Sequence, residues 1–326
     1  MKCAEEGSVG AIIRQALLDT MNRNTPESEY KAWENSMQYM YMVLNDPLIP
    51  NDAGIAIEYN IPQTAKRVDF MISGYDEKHN PGMIIVELKQ WEKLSKVNNT
   101  NTLVETFTGG AVRKVVHPSY QAWSYARLIS DYNSSVQDNA LVLVPCAYMH
   151  NYVRSDNDPV DDKQYEDYWS EAPVFTKGKI AELRNFIKNT IKTGDNKEVL
   201  YLIDKGKIHP SKSLQDAIAS MVKGNQEFVM IDEQRVVYEE ILRYSKQCQK
   251  DHKKRTIICQ GGPGTGKSVI AVQLLSALTQ MDQFVQYVSK NSAPRTVYAS
   301  KLKGARKKSS VDNMFKGSGC YKDVGK

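Results

Sequence analysis

No apolar run in the 326-residue sequence approaches the ~20 residues that a membrane-spanning helix needs, so no membrane partner is expected. The first residues, Met1-Lys2-Cys3-Ala4-Glu5-Glu6, are acidic where a secretory leader is basic, and no apolar core follows them. The five cysteines (Cys3, Cys146, Cys248, Cys259, Cys320) are odd in number, widely spaced and without a C-x-x-C pair. That usage argues against a disulfide framework and a structural zinc site, and it fits a reducing, cytoplasmic setting. No internal repeat is visible. A general excess of positive charge is missing too. Residues 290–326 hold ten Lys/Arg against two Asp, so the net charge of +5 leaves the rest of the chain at −3. The basic tail reads either as a footprint for a phosphate backbone or as a solvated end.

What is present suits two globular domains, since 326 residues can bury two cores. Residues 10–22 and 28–45 read as amphipathic helices, with Trp33, Met37, Met40, Tyr41 and Leu44 at helical spacing. Runs at 55–61, 67–73 and 83–88 read as strands of one sheet, 119–132 as a helix, and 140–147 as a buried strand. The polar stretch 154–171 reads as a surface insertion, followed by a helix near 179–192 and a strand near 198–203. The expected organisation is an α/β domain over 1–205, a linker over 206–226 with Gly206, His209-Pro210-Ser211 and Gly224, and a second domain over 227–326. In the second domain a helix begins near Asp232, and Thr256-Ile257-Ile258-Cys259 reads as a strand.

Chemistry gathers first around Arg67-Val68-Asp69-Phe70 and Ile84-Ile85-Val86-Glu87-Leu88-Lys89. Side chains two apart in a strand share a face, so Glu87 and Lys89 emerge together, and a hairpin-like return brings Asp69 alongside. Two carboxylates ~4 Å apart repel by roughly 4 kcal/mol at an effective dielectric of ~20, so the pair calls for a cation. Oxygen ligands favour Mg²⁺ or Mn²⁺, which would activate a water, while Lys89 holds that water or the phosphate. Gln121 and Tyr125 lie at i and i+4, on one helix face. His117-Pro118 either helps position a phosphate or caps the helix. Arg67 either contacts a nucleic-acid backbone or forms an ion pair.

Asp69, Glu87-x-Lys89 and Gln121-x-x-x-Tyr125 together resemble the RecB-type branch of the PD-(D/E)XK nucleases, over roughly residues 30 to 147. The resemblance implies a restriction-endonuclease-like mixed-sheet core, with Asp69 and Glu87 as metal ligands and Lys89 as the catalytic lysine. Gln121 and Tyr125 would support the site and its substrate. It also implies a carboxylate from an early helix, for which Glu34 is the position that fits.

The second site is a phosphate cradle. Gly261-Gly262-Pro263-Gly264-Thr265-Gly266-Lys267-Ser268 satisfies G-x-x-x-x-G-K-[ST], with inward N–H groups for phosphate oxygens, Lys267 for the β- and γ-phosphates of ATP, and Ser268 for Mg²⁺. Phe228-Val229-Met230-Ile231-Asp232-Glu233-Gln234 is similar to the adenine-reading glutamine motif of superfamily 1 helicases. Val285 to Asn291 with Ala293-Pro294-Arg295 is similar to their motif Ia. The whole resembles a bacterial two-domain protein with a nuclease domain ahead of a Schlafen-like helicase domain, here a partial RecA-like unit. No Asp-Glu pair follows Ser268, where the acids are Asp282, Asp312 and Asp323, so slow ATP hydrolysis and no duplex unwinding are expected. The leading expectation is a Mg²⁺- or Mn²⁺-dependent nuclease acting on DNA more readily than RNA, in DNA repair or defence against foreign DNA. The alternatives are a non-catalytic nucleic-acid-binding module switched by ATP, and a P-loop ATPase whose first domain recruits partners.

Overall fold

The computed structural model describes residues 9–21, 26–62, 64–207, 220, 228–301 and 313–321. Contacts divide the chain into two compact units, residues 1–209 and 210–326.

The first unit opens with helices α1 (Val9–Met21) and α2 (Glu27–Leu44). A meander of β1 (Gly54–Asn60), β2 (Arg67–Tyr75) and β3 (Pro81–Lys89) follows, with β1–β2 and β2–β3 antiparallel. Two more strands, β7 (Val142–Met149) and β8 (Val174–Thr176), extend this sheet in parallel beyond β3, giving the order β1-β2-β3-β7-β8. A parallel neighbour requires a crossover, and α3 (Pro118–Tyr132) supplies it between β3 and β7, with the short α4 (Ser134–Asp138) after it. Inserted before α3 is a second, three-stranded antiparallel sheet of β4 (Ser95–Lys96), β5 (Leu103–Thr108) and β6 (Ala111–Val116). After β7 come α5 (Glu166–Trp169), then α6 (Ile180–Thr190) beyond β8, and α7 (Glu198–Lys205).

Alternation along the strands decides what lies on each face. Phe70 and Ile72 of β2, Ile84, Val86 and Leu88 of β3, and Cys146 and Tyr148 of β7 pack with Trp33, Met37 and Met40 of α2 and Leu183 and Ile187 of α6. Asp69, Glu87 and Lys89 alternate with these residues and belong to the other face. Helix α3 packs on β3 and β7, and none of its buried residues joins the α2 cluster.

Three local expectations are corrected. Residues 198–205 form a helix rather than a strand. Val199 and Ile203, four apart, are buried while Tyr201 and Leu202 are exposed, and the buried Asp195 accepts the Val199 N–H at 2.9 Å. Asp195 also accepts from Gly54 N at 2.8 Å and from Ser73 Oγ at 2.7 Å, tying α7 to β1 and β2. The stretch 154–171 is not a plain surface insertion, because Val160, Tyr165 and Tyr168 are buried.

The third correction lies in the second unit. It holds α8 (Glu233–Asp251), α9 (Lys267–Gln280), α10 (Ser292–Lys301) and the parallel pair β9 (Tyr287–Ser289) and β10 (Phe315–Gly317). Residues 252–262 are irregular, and Ile258 is 80% exposed. An apolar, β-branched run needs a neighbouring strand to become one. Among the described residues β9 pairs with β10, and nothing pairs with 256–259.

Candidate active site

Register assembles the first site. Phe70 stands opposite Val86, and the next step of that antiparallel ladder sets Asp69 opposite Glu87 on one face. The Glu87 carboxyl is near enough to bear on the ionisation of Asp69. Asp69 Oδ2 also accepts the Leu88 N–H at 2.8 Å, fixing the carboxyl against the β3 backbone. Glu87 is buried and takes Lys89 Nζ on its Oε1 at 2.6 Å. The ammonium of Lys89 lies 5.3 Å from the Trp91 ring centre, so an aromatic face steadies the cation. Burial pushes the Asp69 carboxyl above its usual range, against the opposing pull of Lys89, the Leu88 N–H, Glu87 and Arg67. A buried carboxyl pair in this state is better ionised with a cation present.

The residue following Lys89 is strapped to α2. Gln90 Nε2 donates to Ala32 O at 2.7 Å and to Ser36 Oγ at 3.2 Å. Ser36 Oγ lies 3.1 Å from Nε2 of the fully buried His150, which stacks on Tyr39, and Asn151 Nδ2 returns to Gln90 O at 3.3 Å. The carboxyl ends of β3 and β7 are therefore held rigidly, and that end of parallel strands is where open α/β sheets take ligands.

The other expected residues fall as follows. Gln121 Nε2 donates to the Tyr125 hydroxyl at 3.1 Å on α3, the helix that packs on β3 and β7. Glu34 meets Tyr30, with its Cγ 2.8 Å from where a Cβ on Gly10 would stand. It sits on α2, whose Trp33, Met37 and Met40 pack with the strand residues that alternate with Asp69 and Glu87. His117 is the N-cap of α3: its Nδ1 accepts the Ser119 N–H at 3.2 Å and its Nε2 reaches Val160 O at 3.0 Å. Burial lowers the His117 pKa to about 4. Arg67 bridges Glu29 and Glu58, each at 2.7 Å.

Glu58 was not anticipated. Ile57 pairs with Phe70 and Tyr59 with Val68, so Glu58 falls opposite Asp69 in an unshifted register, its φ of 54° interrupting the ladder at that one position. Its Oε1 accepts Trp33 Nε1–H at 2.8 Å. Its pKa is pushed up to about 7, first by burial and then by the charge of Asp69, against Arg67 and the Trp33 bond. Among the described residues, no three His, Cys, Asp or Glu side chains converge in a group that could hold a metal ion. Asp69 and Glu87 thus form a pair, with Glu58 contributing charge.

In the second unit, Gly264 and Gly266 adopt φ 74° and 83°, and α9 starts at Lys267. The loop's bulk-free turn depends on these two positions, because L side chains are strained there. Lys267 Nζ donates to Gly261 O at 2.7 Å and also reaches Gly262 O and Thr265 Oγ1. Gln234 Nε2 donates to Thr265 O at 3.1 Å while its Oε1 accepts the Ile231 N–H at 3.2 Å, joining the start of α8 to the loop. Pro263 and Ser268 are exposed. A cavity of about 460 Å³ beside the loop is lined by Lys267, Ser268 and Ala271 of α9 and by Gln286, Tyr287 and Ser289. Ala293, Pro294 and Arg295 lie in the first turn of α10, and their side chains are outside the described set.

Residues 254–322 match the family described as Schlafen group 3, DNA/RNA helicase domain. The match spans the glycine loop, α9, β9 and β10. The chain matches no curated protein and no solved structure. Among the described residues no helix is long and apolar enough to cross a membrane.

Proposed function

We propose that this protein is a divalent-cation-dependent nuclease whose PD-(D/E)XK-like first unit is joined to an ATP-binding, helicase-like second unit. One observation carries the reading: ladder register sets Asp69 against Glu87, with Lys89 on the same face at the carboxyl end of β3. The five-stranded order, with an antiparallel meander, a helical crossover and parallel strands beyond, supports a restriction-endonuclease-like core.

Asp69 and Glu87 would hold Mg²⁺ or Mn²⁺, which would supply Lewis acidity toward a phosphoryl oxygen and an acidified water. The chain's own groups do the rest. The Leu88 N–H aims the Asp69 carboxylate, and Glu87 beside it is buried. Lys89 is the fixed positive charge for a scissile phosphate or its attacking water, oriented by Glu87 and Trp91. Gln121 and Tyr125, bonded to each other, would brace the site from α3. In the second unit, the N–H groups at the start of α9 with Lys267 and Ser268 would cradle the ATP phosphates, and Gln234 stands at the loop for the adenine. The similarity of residues 254–322 to a helicase domain family favours nucleic acid as the shared partner.

The absence of a third convergent ligand among the described residues favours one competing reading, a nucleic-acid-binding module without catalysis. Labelled single- and double-stranded DNA incubated with Mg²⁺, Mn²⁺ or chelator, with and without ATP, separates the two. Cleavage that needs the cation and disappears in Lys89→Ala is expected. Binding without cleavage under every condition would leave the non-catalytic module.

A further inference from the structure

The β3–β7 ladder ends at the pair Lys89 and Met149, and beyond it side chains take over from the backbone. Gln90 lies between Lys89 and Trp91, the ring that the Lys89 ammonium approaches to 5.3 Å, so its placement bears on both the cation and its support. A closed circuit of hydrogen bonds holds Gln90. Its Nε2 reaches Ser36 Oγ at 3.2 Å, and Ser36 Oγ lies 3.1 Å from His150 Nε2. His150 Nδ1 lies 3.1 Å from Asn151 Oδ1, and Asn151 Nδ2 returns to Gln90 O at 3.3 Å. Ser36 and His150 are buried, His150 completely.

Two backbone carbonyls, which can only accept, fix the direction of every bond in the circuit. Gln90 O must face the amide nitrogen of Asn151, so Asn151 turns its oxygen to the imidazole and His150 carries its proton on Nδ1. Ala32 O, 2.7 Å from Gln90 Nε2, identifies the nitrogen side of that amide, whose second N–H goes to Ser36 Oγ. His150 Nε2 then offers a lone pair, and the Ser36 hydroxyl donates to it. The donors run one way round, from Gln90 to Ser36, to His150, to Asn151 and back to Gln90. A proton on Nε2 would meet the Ser36 hydrogen, so the circuit needs the neutral imidazole. Burial favours that form, lowering the His150 pKa against the pull of the Asn151 bond. Tyr39 stacks on the imidazole at 4.2 Å and Tyr148 meets it edge-on at 5.8 Å, which fixes its plane.

We propose that His150 is a positioning residue for Lys89, acting through this one-way circuit as the Nδ1–H tautomer. The proposal rests on the nuclease reading for the reaction it serves, but not for all of its test. In the full chain, Ser36→Ala removes one hydroxyl from the circuit and suits a helix, and Gln90→Met keeps the side-chain length while breaking a second link. With Mn²⁺ and labelled DNA, each variant should lose about tenfold or more in kcat with KM within about twofold, as a slightly misplaced cation would. A merely structural role would lower the melting temperature and leave the kcat of the folded protein unchanged. The second measurement needs no cleavage: acetylation of Lys89 by acetic anhydride in metal-free protein, read by mass spectrometry. Its rate should rise about three- to tenfold in both variants, the factor one hydrogen bond is worth, while lysines elsewhere keep theirs. Nitrogen-15 spectra of histidine-labelled protein, with the His150 signals identified by their loss in His150→Gln, should show a proton on Nδ1 alone. A proton on Nε2 instead overturns the proposal. Wild-type kcat in both folded variants also overturns it and leaves the nuclease reading standing. Should the wild type never cleave, the nuclease reading falls and the acetylation rate decides: faster in the variants upholds the positioning role, and unchanged overturns it.

Discussion

Glu58 and His117 are two buried ionisable groups whose environments push in different directions on the pH axis. The Glu58 carboxyl, raised from an ordinary 4.5 to about 7, holds its proton better in the folded chain than in the unfolded one. Its contribution to stability is therefore complete below about 4.5 and is lost as pH rises through about 7, a swing of roughly 3 kcal/mol. His117, lowered from 6.5 to about 4, is kept neutral by burial, so its contribution is complete above 6.5 and lost as pH falls through about 4. Thermal melts of Glu58→Gln between pH 5 and 8 should show a smaller decline with rising pH than the wild type. An unchanged decline would mean that another group carries it. Lys89 acts at the same scale: Lys89→Ala leaves the buried Glu87 without its cation, so it should lower stability and, in the protein that remains folded, reduce cleavage by at least about a hundredfold.

Helix α2 reaches the sheet through two polar straps close together in the helix, Trp33 to Glu58 of β1 and Ser36 and Ala32 to Gln90 after β3. Trp33→Phe keeps most of the ring and removes one N–H from a buried carboxyl, so a loss of about 1–3 kcal/mol is expected in denaturant unfolding. His117→Ala should cost a comparable amount, removing the α3 cap and the stack on Tyr165. A change below ~0.5 kcal/mol in either variant would contradict the role given to it. These elements also mark how far the sequence could be read. Period-two alternation and the apolar run before Glu87 placed Asp69, Glu87 and Lys89 on one face without any tertiary knowledge. Helical spacing identified α2 but could not say that its apolar side packs against Phe70, Ile72, Ile84 and Val86. Glu58 depends on its place opposite Asp69 in the β1–β2 register, which no local residue type announces. Val199-Leu200-Tyr201-Leu202-Ile203 suits a strand or a helix by composition, and only the Asp195 bond at its start resolves it. The β4–β6 sheet had a usable signal in the Gly109-Gly110 turn between two strand-forming runs.

The chain as a whole joins two compact units, and on the proposed reading each should respond to its own ligand. ATP at about a hundred times its dissociation constant should stabilise the second unit by roughly 2.7 kcal/mol, and Lys267→Ala should remove that shift while leaving any Mn²⁺ response of the first unit intact. Loss of both responses together would mean that the two units do not act separately. The central claim is that Asp69 and Glu87 form a cation site, and calorimetric titration of Mn²⁺ into metal-free protein without nucleotide tests it most directly. The account predicts a saturable heat in the wild type that vanishes in Asp69→Asn, a variant whose similar shape and lost charge should leave the fold standing, as its melting curve would verify. Equal Mn²⁺ binding by the wild type and a folded Asp69→Asn, or no binding by the wild type, would contradict it.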